Sequence, residues 1–575
     1  MFESSFKDSL DPSYLQAITK LEDDLKDVED NGKKLDLLVQ FSSTYMMPKE
    51  LWNEYFELTH EFQSPIEERE RTKAMILPSV YHFYYKSPIA ARDYFGPLRL
   101  PKRKLLKWKS TAISAFDIGA GVSPNAATLI KDISFPNENI ERKWRQYEKS
   151  SSSMPPQKVV RIYQKMKALF AKIEEVEKSG DEEEWIKALM EVGDNAFVEH
   201  NIEYRLGGNL ANKKLWKLCI QYLRGQQQDV HKLLQTYSKY CRFFLDDTDM
   251  KEEYLQAATD YGNPVEVPWK NPFEFEIQTE NALSNYFSKN YDPSNTDDDE
   301  EEVNSKSTVY FNTNNLNKHQ NFPFKTPVIH YIIQNANARV LQNLFKSCKW
   351  FFVKYPIPIC YSLVTKQRPM GKPEINFYQQ SVEVVKSALN KTGLENIYLS
   401  TTLQIITPRD RMLLSDFIPK MFRCDAKYIS IANQDLTFKE LKFLIGHGNV
   451  VDLYLLEVKT IDEQNKEIAV EDVLKLVPKV QFINIGGIPD TPKTAQILSQ
   501  LKFENKIESF NLNIENLEPH DFVEFIKKNM APKSRIFIHY KFKNNAEVIS
   551  NFRQIVGNAI NLHWNENDRP MFKAI

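Results

Sequence analysis

From Ile397 to Tyr540 a short apolar strand pattern recurs, and each copy is followed by a stretch of helical periodicity. The copies are Ile429-Ser430-Ile431, Leu453-Tyr454-Leu455, Ile483-Asn484-Ile485, Leu512-Asn513-Ile514 and Ile538-His539-Tyr540, with first residues 24, 30, 29 and 26 positions apart. A period of this length predicts stacked strand-helix units, because one strand and one helix cannot bury a face alone. Parallel strands brought side by side in this way line a surface suited to gripping another protein.

Punctuation between the copies agrees. Thr437-Phe-Lys-Glu440 has the spacing of a capping box, and Thr491-Pro492 offers an N-cap followed by Pro at the first helical position. Helices are expected through Leu441 and Leu444, Val473 and Leu476, Ile497 to Leu501, Phe522 to Ile526 and Val548 to Ile555. Gly446, Gly448, Gly486 and Gly487 fall at the expected turns, where glycine permits positive φ.

The amino-terminal half has a different rhythm. Residues 13 to 260 read as helical throughout, with Pro expected between helices and few Gly. Pro48 precedes Trp52 and Tyr55, Pro101 leads to Trp108, Pro136 leads to Trp144 and Tyr147, and a later Trp216 precedes Tyr222. Residues i and i+3 share a helix face, so Trp52 with Tyr55 and Trp144 with Tyr147 are expected to form buried aromatic ridges. A second helix is visible in Pro88 to Phe95, with Arg92, and in Lys158 to Tyr163, with Arg161. These phrases resemble HAT (half-a-tetratricopeptide) repeats, whose first helix carries Trp-x-x-Tyr and whose second carries Ala-Arg-x-x-Phe/Tyr. The best copy is Trp144 to Leu169, with Val160 where Ala is usual. The resemblance implies an all-α solenoid over 1–285 in which Trp52, Tyr55, Arg92, Trp108, Trp144, Tyr147, Arg161, Tyr163 and Trp216 are packing residues. It also implies a scaffold of RNA processing, and it allows a homodimer through the array.

Between the halves, Ser288 to Gln320 is polar and contains six consecutive acids, Asp297 to Glu302. Such a stretch does not bury enough apolar surface to offset chain ordering, so residues 286–321 are expected to be a linker. Ser294 and Thr296, each with an acid three residues on, suit an acid-directed kinase.

After it, Phe322 to Pro358 predicts two or three short helices ending in an aromatic cluster. Pro327 and Ile329, then Leu341 and Leu344, then Cys348-Lys-Trp350 resemble an F-box, whose apolar positions dock on the adaptor of a cullin-based ubiquitin ligase. The usual opening Leu-Pro-x-Glu is replaced by Thr326-Pro327-Val328-Ile329. A helical cap closing the end of the following stack is an alternative. Residues 322–360 followed by leucine-rich-repeat-like units over 361–575 are similar to a large nematode family of F-box-like proteins, chiefly through Phe443 to Val450, Leu453-Tyr-Leu and Val470 to Pro478.

No catalytic constellation stands out. Gly119-Ala-Gly121 lies between helices rather than after a strand, and Gly371-Lys372-Pro373 lacks the Walker pattern. The ten histidines are scattered, and Cys219, Cys241, Cys348, Cys360 and Cys424 never approach a Cys-x-x-Cys spacing. No cofactor and no metal are expected. A net charge of −2 makes the chain no polycation, so any RNA binding must come from a local patch, and with no Lys/Arg-Gly-Phe-x-Phe strand of an RNA-recognition domain RNA contact is expected to be indirect. One local exception is Lys102, Arg103, Lys104, Lys107 and Lys109 around Trp108, which suits nuclear import or phosphate binding. No apolar run reaches the ~20 residues of a membrane helix, and five scattered thiols suit a reducing compartment, so the expected location is the nucleus, or nucleus and cytoplasm.

The expected fold class is thus an all-α HAT-like half joined to an α/β leucine-rich-repeat-like half. The expected function is a non-enzymatic scaffold whose partners are proteins, either ribonucleoprotein-processing factors or a ubiquitin-ligase adaptor.

Overall fold

The computed structural model describes residues 2, 4–61, 65–84, 126–226, 229–262, 265–277, 324–366, 374–385, 394–406, 410–541 and 546–575. The chain forms two units: one from Met1–Trp144 and Lys158–Asn304, the other from Arg145–Gln157 and Ser305–Ile575. The amino-terminal half is helical, and the carboxy-terminal half is a large mixed sheet with helices.

In the first unit, after a single turn at Ser4–Lys7, the described helices are α1 (Pro12–Asp27), α2 (Asn31–Ser42), α3 (Lys49–His60), α4 (Pro65–Tyr81), α5 (Ala126–Ile133), α6 (Ile140–Ser150, entering the second unit at Arg145), α7 (Gln157–Ser179), α8 (Glu182–Met190), α9 (Asn195–Gly208), α10 (Lys213–Gln226), α11 (Val230–Cys241) and α12 (Thr248–Tyr261). Consecutive helices pack on one another from α1 to α4 and from α8 to α12. Asp caps start several of them: the side chains of Asp30, Asp181, Asp194, Asp229 and Asp247 each accept a first-turn backbone N–H. The core between the helices is rich in aromatics, with Trp52, Trp216 and Trp269 fully buried. A short parallel pair, β1 (Val265–Glu266) and β2 (Glu276–Ile277), follows α12.

Proline is not confined to the gaps between helices. Pro78 lies inside α4, where its missing N–H leaves the Ala74 carbonyl without a helical donor.

In the second unit α13 (Thr326–Asn335), α14 (Ala338–Ser347) and α15 (Lys349–Lys354) come first. The strands follow: β3 (Ile359–Lys366), β4 (Ile375–Tyr378), β5 (Ser381–Val385), β6 (Ile397–Ile406), β7 (Met421–Cys424), β8 (Tyr428–Ala432), β9 (Asp435–Thr437), β10 (Asp452–Leu456), β11 (Lys459–Ile461), β12 (Phe482–Gly486), β13 (Ile507–Ile514), β14 (Met530–Tyr540) and β15 (Met571–Ala574). Among the described residues eleven of them form one sheet, in the order β15-β14-β13-β12-β10-β8-β6-β3-β5-β4 with β7 on β6. From β6 to β15 every neighbour is parallel, and along the main path each is the next such strand in the chain; only β4 and β5 run antiparallel. Helices α16 (Leu413–Phe417), α17 (Phe438–Ile445), α18 (Val470–Leu474), α19 (Thr494–Gln500), α20 (Pro519–Asn529) and α21 (Ala546–His563) lie in the connections. Their apolar stripes share one core with Leu403, Ile429, Leu453, Ile483, Phe510 and Ile536.

All five sequence copies are strands, but their true register differs at one step. Leu453 pairs with Ile429 and Ile483, whereas Ile483 pairs with Phe510, not Leu512; Leu512 stands opposite Ile485 and Ile538. The in-register column is therefore Leu403, Ile429, Leu453, Ile483, Phe510, Ile536. A shift of two residues keeps every side chain on its own face, so alternation alone does not detect it.

The Thr437–Glu440 capping box is complete, with Glu440 N–H donating to Thr437 Oγ1 and Thr437 N–H donating to Glu440 at 2.8 Å. The expected cap at Thr491 is displaced: α19 begins at Thr494, and both hydroxyls, Thr491 and Thr494, donate to the buried Glu471 carboxylate at 2.6 and 2.7 Å. Of the four turn glycines, Gly448 and Gly487 adopt φ of +74° and +84°. Gly446 instead ends α17 at φ −77°, and Gly486 closes β12, where a Cβ would meet Leu456 Cδ1 at 3.0 Å.

Candidate interaction faces

In the first unit the expected aromatic packing positions are mostly interior. Trp52 and Tyr55 are buried in edge contact with ring centroids 6.3 Å apart; Trp52 Nε1–H donates to Met47 O, and Tyr55 OH to Arg71 O. Trp216 is buried, donating Nε1–H to Leu210 O at 2.8 Å. Trp144 stacks face to face on Tyr163, with centroids 4.4 Å apart and ring planes 7° from parallel. Arg161, expected to pack, is exposed: it lies two residues before Tyr163, outside the face turned to Trp144. Tyr147 is buried but belongs with the second unit. Arg92, Trp108, the basic residues Lys102 to Lys109, Ser294, Thr296, the linker, Gly119-Ala-Gly121 and Gly371-Lys372-Pro373 lie outside the described residues.

Across the second unit, α13 to α15 form a small core of Ile329, Ile333, Leu341, Phe345 and Phe351 against Tyr398 of β6. Two of the expected adaptor contacts, Ile329 and Leu341, are thereby enclosed; Pro327 is exposed, and Leu344 and Trp350 are half-buried. Helical periodicity turns Ile329 together with Ile333 inward, and leaves Phe324, Val328 and Tyr331 on the solvent side. Arg423 locks this core to the sheet. Its guanidinium donates to the Gln334 and Ala336 carbonyls at 2.9 and 2.7 Å, lies over the Tyr398 ring and pairs with Asp425. A cation at the end of α13 satisfies carbonyls that the helix leaves open.

The sheet face opposite the main core presents a row in strict register: Gln404, Ser430, Tyr454, Asn484, Asn511 and Phe537. All six are partly exposed. Amides, a hydroxyl and two aromatics at strand spacing offer donors, acceptors and flat apolar area together, and of these the aromatics are enriched at protein interfaces.

Beside it runs a second row, Tyr428, Asp452 and Phe482, and this one is covered by residues 145–155. Arg145 lies over the Phe482 ring at 4.3 Å and donates to Gln481 and Glu508, each at 3.2 Å. Glu148 accepts from Tyr428 OH at 2.6 Å and from Lys427 Nζ at 2.9 Å, while its backbone carbonyl accepts from Tyr361 OH at 2.8 Å. Burial and the Glu148 carboxylate push the Tyr428 phenol well above its ordinary pKa. Lys149 pairs with Asp452 over the Tyr428 ring. Further on, the Ser152 carbonyl accepts from Gln380 N–H and Ser381 Oγ–H, and Pro155 O from Arg339. The sequence reading placed this stretch in a helical repeat and missed these contacts. No local signal reveals them, since Glu148 and its partners are 213 to 280 positions apart.

Among the described residues no group of three or more His, Cys, Asp or Glu side chains is placed to hold a metal, and no helix is long and apolar enough to cross a membrane. No protein-family model matches the chain, and no curated protein matches it.

Proposed function

We propose that this protein is a non-enzymatic scaffold that recruits other proteins through two repeat surfaces, a HAT-like helical array and a leucine-rich-repeat-like sheet, in RNA processing or ribonucleoprotein assembly. The observation that carries the reading is the parallel ladder from β6 to β15, whose neighbours follow chain order and which presents the amide and aromatic row Gln404 to Phe537. Packing of successive helices and the Trp144–Tyr163 stack support the helical array. The test is affinity purification of the tagged full chain beside a Tyr454→Ala/Asn484→Lys variant. Splicing or polyadenylation factors recovered with both chains, together with at least one further protein lost with the second at equal thermal stability, support the reading; recovery of no such factor, or of identical proteins by both chains, overturns it.

A second reading, a substrate receptor of a cullin-based ubiquitin ligase, is favoured by one observation: the apolar Phe324, Val328 and Tyr331 exposed on and just before α13. It expects recovery of the adaptor, lost on Val328→Asp with Tyr331→Asp.

A further inference from the structure

Residues 145–157 lie against the sheet in a manner unlike the rest of the unit. The other face of the same strands is closed by aliphatic side chains, Ile429, Leu453 and Ile483, packed on helices. Under the strap the contacts of α6 are chiefly charged, while Tyr147 is buried and Met154 packs against the small core of α13 to α15. Arg145, Glu148 and Lys149 stand at i, i+3 and i+4 and so share one face of α6. Against this plus, minus, plus array the sheet sets Glu508, Lys427 and Asp452, a minus, plus, minus array in matching order. Rings lie beneath both cations, Phe482 under Arg145 and Tyr428 under Lys149.

Such complementarity fixes register and excludes helices of the wrong pattern. Its outer members hold only modestly, because Lys427, Lys149 and Glu508 keep side-chain exposures of 42%, 45% and 40% and are screened by solvent and salt, whereas Arg145 and Glu148 are largely buried. Polar, ion-paired surfaces of this kind are typical of contacts that form and release, unlike the dry aliphatic packing on the other face. Glu148 is the anchor, its carboxylate taken up between Tyr428 and Lys427 while Tyr361 holds its backbone.

We propose that the row Tyr428, Asp452 and Phe482, with Lys427, Gln481 and Glu508 at its edge, is a binding groove for a helix carrying Arg, Glu and Lys at i, i+3 and i+4. In the resting chain residues 145–157 occupy it as a releasable strap, and a partner helix of the same pattern takes their place. The strap competes at the high effective concentration of a tethered segment, so a free helix gains access when the strap is weakened. The proposal is independent of which protein the neighbouring Gln404 to Phe537 row recruits.

The test uses the full chain and a fluorescent synthetic peptide of residues 140–157. Wild-type chain is compared with a strap-reversed chain, Arg145→Glu/Glu148→Lys/Lys149→Glu. The reversed chain is expected to bind the peptide at least ~10-fold more tightly than wild type, because its own strap no longer competes. Adding Tyr428→Phe and Lys427→Glu to it should abolish that gain. A reversed chain with wild-type circular dichroism that binds the peptide no better than wild type overturns the proposal. Hydrogen exchange of the unmodified chain provides a check independent of the variants. Amides of 145–157 should exchange faster at high salt while β8, β10 and β12 stay protected, and salt-independent protection of the strap also overturns it.

Discussion

Arg242 and Glu276 form a buried ion pair in the first unit, with Arg242 Nη2 standing 3.0 Å from Glu276 Oε2 and neither side chain more than 8% exposed. The carboxylate is almost saturated: Ser238 Oγ–H and Tyr254 OH donate to Oε1 at 2.6 and 2.8 Å, and Phe273 N–H donates to Oε2 at 2.7 Å. Trp269 Nε1–H donates in turn to Ser238 Oγ, and the Arg242 guanidinium covers the Phe273 ring at 4.1 Å. The segment 265–277 is thus tied to α11 and α12 by one polar network. Glu276→Ala leaves a buried guanidinium without its counter-charge and is expected to destabilise the first unit by about 3–5 kcal/mol. Tyr254→Phe removes one donor and should cost about 1 kcal/mol. Urea unfolding followed by tryptophan fluorescence measures both.

His82 supplies a pH dependence. Its Nδ1 accepts the Met47 N–H at 2.8 Å, and the ring lies between Trp52 and Trp269. Burial, with the Lys239 ammonium as a second cause, lowers its pKa from 6.5 to about 3. The folded pKa lies below the unfolded one, so above 6.5 both states are neutral and His82 adds no slope. Between those values the unfolded chain binds a proton that the fold refuses, and stability falls with falling pH by up to about 1.4 kcal/mol per pH unit. Unfolding free energies of wild type and His82→Gln, measured from neutral to mildly acidic pH, should converge as the pH falls.

The two faces of β13 should respond very unequally to the same charge. Leu512 is fully buried beneath the strands, whereas its neighbour Asn511 stands in the partly exposed row. Leu512→Asp puts an unpaired carboxylate into the core and is expected to abolish cooperative unfolding of the second unit. Asn511→Asp should change stability by no more than about 0.5 kcal/mol. Differential scanning calorimetry of the two variants measures the contrast.

At α17, Thr437→Ala removes the hydroxyl that accepts the Glu440 N–H. A loss of about 1 kcal/mol is expected, and Thr437→Ser should recover most of it.

Gly207 in α9 lets the chain at Phe83 approach closely. A Cβ there would meet the Phe83 carbonyl oxygen at 2.0 Å, and Phe83 itself sits at φ +61°. Gly207→Ala therefore forces backbone movement and is expected to cost about 1–3 kcal/mol in thermal unfolding.

The sequence by itself determined the features that depend on near neighbours. Alternation and helical period placed the strands at Ile429, Leu453 and Ile483 and the helices between them; the Thr437–Glu440 spacing located one helix start, and Trp52 with Tyr55 a buried ridge. Tertiary structure decided what depends on distant parts of the chain. Pairing of Ile483 with Phe510 rather than Leu512 is set by the connections, because a two-residue shift leaves alternation unchanged. Ile329 and Leu341 could equally have faced a partner, and only their own small core turned them inward. Glu148 and Arg145 look like solvated charges on a helix whose local phrase is Trp-x-x-Tyr. Their partners at Tyr361, Tyr428 and Glu508 are more than 200 residues away, and complementary charge at that separation acts only once the fold has brought the two surfaces together.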